Sequence, residues 1–144
     1  MTLAGGCMSN RILGSLAAAI LFLTPAAWAQ GAATKEPVAD GHTLSQWIAD
    51  LKAAAPQTRN AAAYEISGMG SAAAAAVPAL IIALDDPEPS VRFPVTVALA
   101  EIGPAAKPAV PKLKKMMEEE INDEIAAAAK RALLRIQPQA ISGE

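Results

Sequence analysis

From residue 43 onward this chain matches itself when shifted by 33 or 34 positions, and that self-similarity limits the fold more than anything else in it. Val77 to Leu84 (VPALIIAL) aligns with Val110 to Met117 (VPKLKKMM) at a shift of 33. Ala98 to Ile102 (ALAEI) aligns with Ala132 to Ile136 (ALLRI) at 34, one residue having been added in the loop between. Shifting backwards by 33 places Leu80 on Trp47, Leu84 on Leu51, Arg92 on Arg59 and Gly103 on Gly70. A unit of this size holds two short helices and cannot bury its own apolar face, so it must stack on its neighbours. The expected fold is all-α, a short α-solenoid of about three helical hairpins, with units at 43–73, 74–106 and 107–137.

The helix limits follow from caps and spacing. Thr43 with Gln46 forms a capping box, after which Leu44, Trp47, Ile48 and Leu51 fall on one helical face. Pro78, Pro89 and Pro111 suit first-turn positions, where a missing amide is harmless. Gly70 and Gly103 read as stops after the second helices of their units. Asn122 caps the last helix, which Pro138 ends, leaving 138–144 as a frayed tail. Pro94 falls inside the second helix of unit two, where it removes a backbone hydrogen bond.

The run VPALIIALDDPEPSVRFPVTVALAEIGPAA resembles a short HEAT repeat of the phycobilisome-lyase-like class. The marks are the Val-Pro-x-Leu opening, the Asp-Pro turn, the Val-Arg pair, the Ala-Leu-x-x-Ile-Gly close and the Pro-x-Ala linker. The resemblance extends over 43–137 and is strongest in unit two. Unit one has Thr58 where valine is expected, and unit three has Ala126 in place of the arginine and Gln137 in place of the glycine. It implies a structural brace between neighbouring turns, made by Asp85 or Asp86 with Arg92, and Arg59 beside them. It also implies that the second helices line a concave surface. On that surface the helical spacing puts Asn60, Tyr64 and Gly68, then Phe93, Val97 and Glu101, then Ala127, Arg131 and Arg135. Of these, Tyr64, Phe93, Val97, Arg131 and Arg135 are the expected contacts to a protein partner, because aromatic and branched side chains stand where polar ones are usual. Some relatives attach or isomerise bilin chromophores, so an enzyme of that kind is the alternative. A third reading is self-assembly through the Ala- and Leu-rich last helix.

The first 29 residues read as an address. Ile12 to Thr24 is an uncharged apolar run preceded by Arg11, and Ala27-Trp28-Ala29 fits a signal peptidase site with cleavage before Gln30. The run is shorter than the roughly 20 residues of a membrane-spanning helix. Cys7 precedes the apolar run, the wrong order for lipidation, and Met8 makes a more ordinary start. The expected location is therefore the periplasm or the medium, with no membrane attachment after cleavage, and 30–42 is expected to be a flexible leader.

Composition narrows the chemistry. One cysteine and one histidine exclude a disulfide framework and a Cys/His zinc site. Without residues 1–29 only Arg11 is lost among the basic residues, leaving 11 against 14 acidic ones and no basic face for nucleic acid. His42 stands alone beside no nucleophile, and Glu118 to Glu124 lack the spacing and glycine of a calcium loop. Lys107, Lys112, Lys114 and Lys115, with Glu118 to Glu120, read as a solvated convex face. No cofactor, metal or catalytic residue is expected. The 35 alanines lower the apolar area available for a core below what 53% hydrophobic residues suggests.

Overall fold

The computed structural model describes residues 36–140. The expected signal segment with Ala27 and Ala29, and the end of the tail, lie outside these residues. Three helical hairpins follow one another: α1 (Leu44–Asp50) with α2 (Pro56–Gly68), α3 (Val77–Ala83) with α4 (Pro89–Ile102), and α5 (Val110–Glu119) with α6 (Asp123–Ile136). The second helices form one layer, α2 against α4 and α4 against α6, and the first helices form the other.

Local chemistry sets the element ends. The Thr43 hydroxyl accepts from the Gln46 amide while the Gln46 side chain accepts from the Thr43 amide at 2.7 Å. Asn122 accepts from the amides of Glu124 and Ile125. The ends of α2 and α4 have no side-chain cap, but each begins on a proline, Pro56 or Pro89, which removes one donor that would need one. Between units the chain tightens into 3₁₀ turns, Gly70–Ala76 and Gly103–Ala109. Gly103 opens the second of these at φ 72, ψ −138, a backbone conformation only glycine adopts without strain.

The core is continuous through all three units. Its largest fully buried side chains include Ile66, Leu80, Leu84, Leu99, Leu113, Ile125 and Leu133. Between them, in the stacked second helices, sit Ala62, Ala63, Ala98, Ala129 and Ala132, none with any exposed surface. Small side chains at these positions let neighbouring axes approach toward the lower end of the usual 8–10 Å. Alanine here is a spacer between helices, and the few large residues carry the burial.

Pro94 is buried within an unbroken 14-residue α4. Its ring leaves the Ser90 carbonyl without an amide four residues on. The Asn60 side-chain amide of α2 donates to that carbonyl at 2.5 Å, so the neighbouring helix supplies the missing bond. Asn60→Ala should therefore destabilise the fold by about 1 kcal/mol. In a Pro94→Ala background, where residue 94 regains its own N–H, the same change should cost less. Urea unfolding of the four-member cycle measures the difference, and strict additivity would refute the substitution of one donor for the other.

Two expectations need correction. The leader is not flexible up to residue 42: Val38–Ala39 pairs antiparallel with His42–Thr43 around Asp40 and Gly41, both at positive φ. A two-residue Asp-Gly turn of this kind matches the twist of a tight hairpin. Trp47 Nε1 donates to the Ala39 carbonyl at 3.1 Å, the His42 ring lies 4.5 Å from the Trp47 ring, and Ser45 donates to Glu36 at 2.7 Å. These contacts fasten the hairpin to α1. At the other end, Pro138–Ala140 adds a short 3₁₀ turn where a frayed tail is expected.

Candidate functional site

Two surfaces collect the residues with functional potential, the edge formed by the turns within each unit and the exposed face of the second helices.

At the turn edge the arginines form a ladder. Arg59 donates to both Asp86 oxygens at 2.6 and 2.9 Å and to the carbonyls of Ala53 and Ala54. Arg92 repeats the geometry one unit later, donating to both Glu120 oxygens at 2.9 and 2.8 Å and to the carbonyls of Asp86 and Pro87. Each guanidinium thus ties the carbonyls of its own turn to the acid of the next. This corrects the expected pairing, since Arg92 meets the Asp86 carbonyl but not an aspartate carboxylate. Asp85 instead accepts from Lys112 at 2.5 Å, and that ammonium also donates to the Ile81 carbonyl. Lys112 is therefore a cross-unit contact and not simply part of a solvated face, and Lys107 lies in the second 3₁₀ turn, outside α5.

Glu120 is the residue sequence reasoning missed. The shift of 34 that aligns ALAEI with ALLRI also carries Asp86 onto Glu120, and this is the signal in the sequence that marks it. A shift of 33 back from Asp86 puts Ala53 at the acid position of unit one, and a shift of 34 on from Arg92 puts Ala126 at the arginine position of unit three, so the ladder's ion pair is not repeated at either end. Hydrogen bonds from Arg59 and Arg92 hold the Asp86 and Glu120 carboxyls below their ordinary pKa, and the Asp86 contact raises that of Arg59. Two-point arginine pairs of this kind fix geometry, and shifts that arise in them report structure before chemistry.

Beside the ladder run two related grooves. One, of about 540 Å³, has Leu84 and Met116 among its walls and Lys112, Lys115 and Arg92 along it. The other, about 360 Å³, is lined by Leu51, Lys52, Ala79, Ile82 and Ala83, largely the equivalents one unit earlier.

The face of the second helices holds the expected partner contacts in rows. Tyr64 of α2, Val97 of α4 and Arg131 of α6 occupy equivalent positions in three adjacent helices, with Gly68, Glu101 and Arg135 forming the next row. Arg135 donates to Glu101 at 2.5 Å, which fixes the alignment of that second row. Tyr64 is 49% exposed and Arg131 is exposed, whereas Val97 is half-buried. Phe93 is half-buried, like Val97, and part of its surface packs on the core. The reason is its helix: α4 has a neighbour on each side and α3 behind it, and eight of its residues are buried. Asn60 is likewise engaged, on the Ser90 carbonyl, and the Ser67 hydroxyl is turned onto the Tyr64 carbonyl. The face therefore narrows to Tyr64, Val97, Arg131 and the Glu101–Arg135 pair.

Among the described residues no group of three or more His, Cys, Asp or Glu side chains could hold a metal ion, and no helix is long and apolar enough to cross a membrane. A search of curated proteins gave no match to the chain. A family model described as HEAT repeats matches residues 44–134, well over half of the sequence, reaching from the start of α1 to within two residues of the end of α6. With the repeat, the two helical layers and the arginine ladder in agreement with that match, the chain belongs to the HEAT repeat family.

Proposed function

We propose that this protein is an exported, non-catalytic module that binds another protein along the exposed face of its second helices. HEAT repeats commonly mediate protein–protein interaction, and the fold supplies a rigid surface for it. The observation that carries the reading is the row Tyr64, Val97, Arg131. It joins an aromatic ring, a half-buried aliphatic side chain and a guanidinium with no hydrogen bond or ion pair among the described residues. Tyrosine and arginine are enriched among the few residues that carry most of the energy of a protein interface. Export to the periplasm or medium rests on the segment 1–29 and its Ala27-Trp28-Ala29 site.

The double variant Tyr64→Ala/Arg131→Glu should lose capture of the partner from the native envelope fraction while its circular dichroism and thermal midpoint stay within error of wild type. Phe93 is unsuitable for this purpose, since it also packs against the core and its truncation would mix binding with stability. In the same fraction the chain itself should begin at Gln30. Undiminished capture by the double variant overturns the surface, and a chain beginning at Met1 or Met8 overturns export.

A further inference from the structure

We infer, on the reading of the second-helix face as the binding surface, that its partner segment is an extended acidic peptide. One apolar side chain of the peptide lies over Tyr64 and Val97, and a carboxylate about three residues away pairs with Arg131. Charge acts locally on the row, where Arg131 is the one arginine with no carboxylate partner among the described residues. On α6 the face carries Arg131, Arg135 and, two turns before Arg131, Glu124; of the two arginines, Arg135 already occupies Glu101 of α4. Arg131 is left with its guanidinium donors directed at solvent, and Lys130 beside it is also exposed. A fork of this shape is matched by a carboxylate, which it binds through two parallel hydrogen bonds. A basic segment would meet Arg131 on this row, with Glu101 already taken by Arg135.

Spacing sets the length of the segment. Equivalent positions in adjacent packed helices lie about 8–10 Å apart. An extended peptide advances about 3.3 Å per residue, so the step from Val97 to Arg131 spans about three residues. The polar groups of Asn60 and Ser67 are used within the fold and offer the peptide backbone little. Recognition therefore falls on side chains, apolar at one end of the row and anionic at the other. A nucleic acid is also anionic, but it would meet one uncompensated arginine on this row and an acidic molecule around it, short of the basic stripe that phosphate binding uses.

Selection of displayed random twelve-residue peptides on the full chain tests this directly. Enriched sequences should pair an aliphatic or aromatic residue with Asp or Glu about three positions away. Their affinity should fall at least tenfold on Arg131→Glu and on Tyr64→Ala, and be largely kept by Arg131→Lys. Neutral or basic peptides that still depend on Tyr64 would overturn the acidic partner and leave the face as a binding surface. Peptides insensitive to both positions, or no enrichment at all, would overturn both. Binding of a twenty-residue oligothymidine with the same dependence on Arg131 would replace the peptide by a nucleic acid.

Discussion

Leu99→Ala should lower the unfolding free energy by about 2–5 kcal/mol, a large part of the whole for a domain of this size. Leu99 has no exposed surface and lies in α4, the middle helix, between α2 and α6. Its equivalents, Ile66 in α2 and Leu133 in α6, are equally buried. Truncation removes three carbons from a core whose neighbouring positions are alanines, and alanines have no side chain to swing into the space. The cavity therefore persists, and its volume adds to the lost transfer energy. Position in the array adds a second effect. In a stacked repeat protein the central unit makes two interfaces, so weakening it weakens both and leaves neither end unit with a stable neighbour. Leu134→Ala is the control, since Leu134 is 48% exposed on the same chemistry one helix over, and its change should stay within about 0.5 kcal/mol. Urea unfolding at equal protein concentration measures both. Equal losses from the two substitutions would show that the alanine-rich layer is not a fixed frame.

The contrast between Leu99 and Phe93 shows how far the sequence alone reaches. The period of 33 and 34, the capping box at Thr43 and the prolines at helix starts are local patterns, and each marks an element found where expected. Leu99 is legible for the same reason, because its equivalents in the repeat are all large and apolar. The cover over Phe93 depends on how closely α2 and α6 approach α4, and no periodicity within one helix records a distance to its neighbour. The turn-edge ladder was half legible. Arginine at 59 and 92 marks itself by repetition, but its partner changes from Asp86 to Glu120 while the spacing changes by one residue. Glu120 thereby merges with the run of acids before it. The hairpin before α1 is hard to read from sequence for a different reason. Its Asp40-Gly41 turn is a local signal, but strands of two residues have no alternation to detect, and the bond from Trp47 to Ala39 that holds them is tertiary.

Glu120→Gln should destabilise the protein by about 1–3 kcal/mol at pH 7, and the loss should vanish in acid. The Arg92 side chain is only 17% exposed and Glu120 10%, so the variant leaves a largely covered guanidinium beside a neutral amide. The amide offers one acceptor oxygen where the carboxylate offers two, and no charge. The carbonyls of Asp86 and Pro87 keep Arg92 in place, which limits the loss below that of an isolated buried charge. The pH dependence follows from the direction of the shift. Arg92 holds the Glu120 carboxyl below its ordinary value, and Arg59 does the same for Asp86. A carboxyl depressed in the folded state contributes stability fully above its unfolded pKa, and that contribution is lost as pH falls through the folded value. Wild-type stability should thus decline from about pH 4.5 downward, near the ordinary range of Glu and Asp. Once Glu120 is protonated, wild type and variant carry equivalent neutral groups against Arg92, so their unfolding free energies should converge. The Asp86 share of the acid slope remains in both proteins, which separates the two rungs of the ladder. Urea midpoints from pH 7 to pH 3 test the argument. A gap that stayed constant across that range would mean that the shape of the Glu120 side chain, and not its charge, holds unit two to unit three.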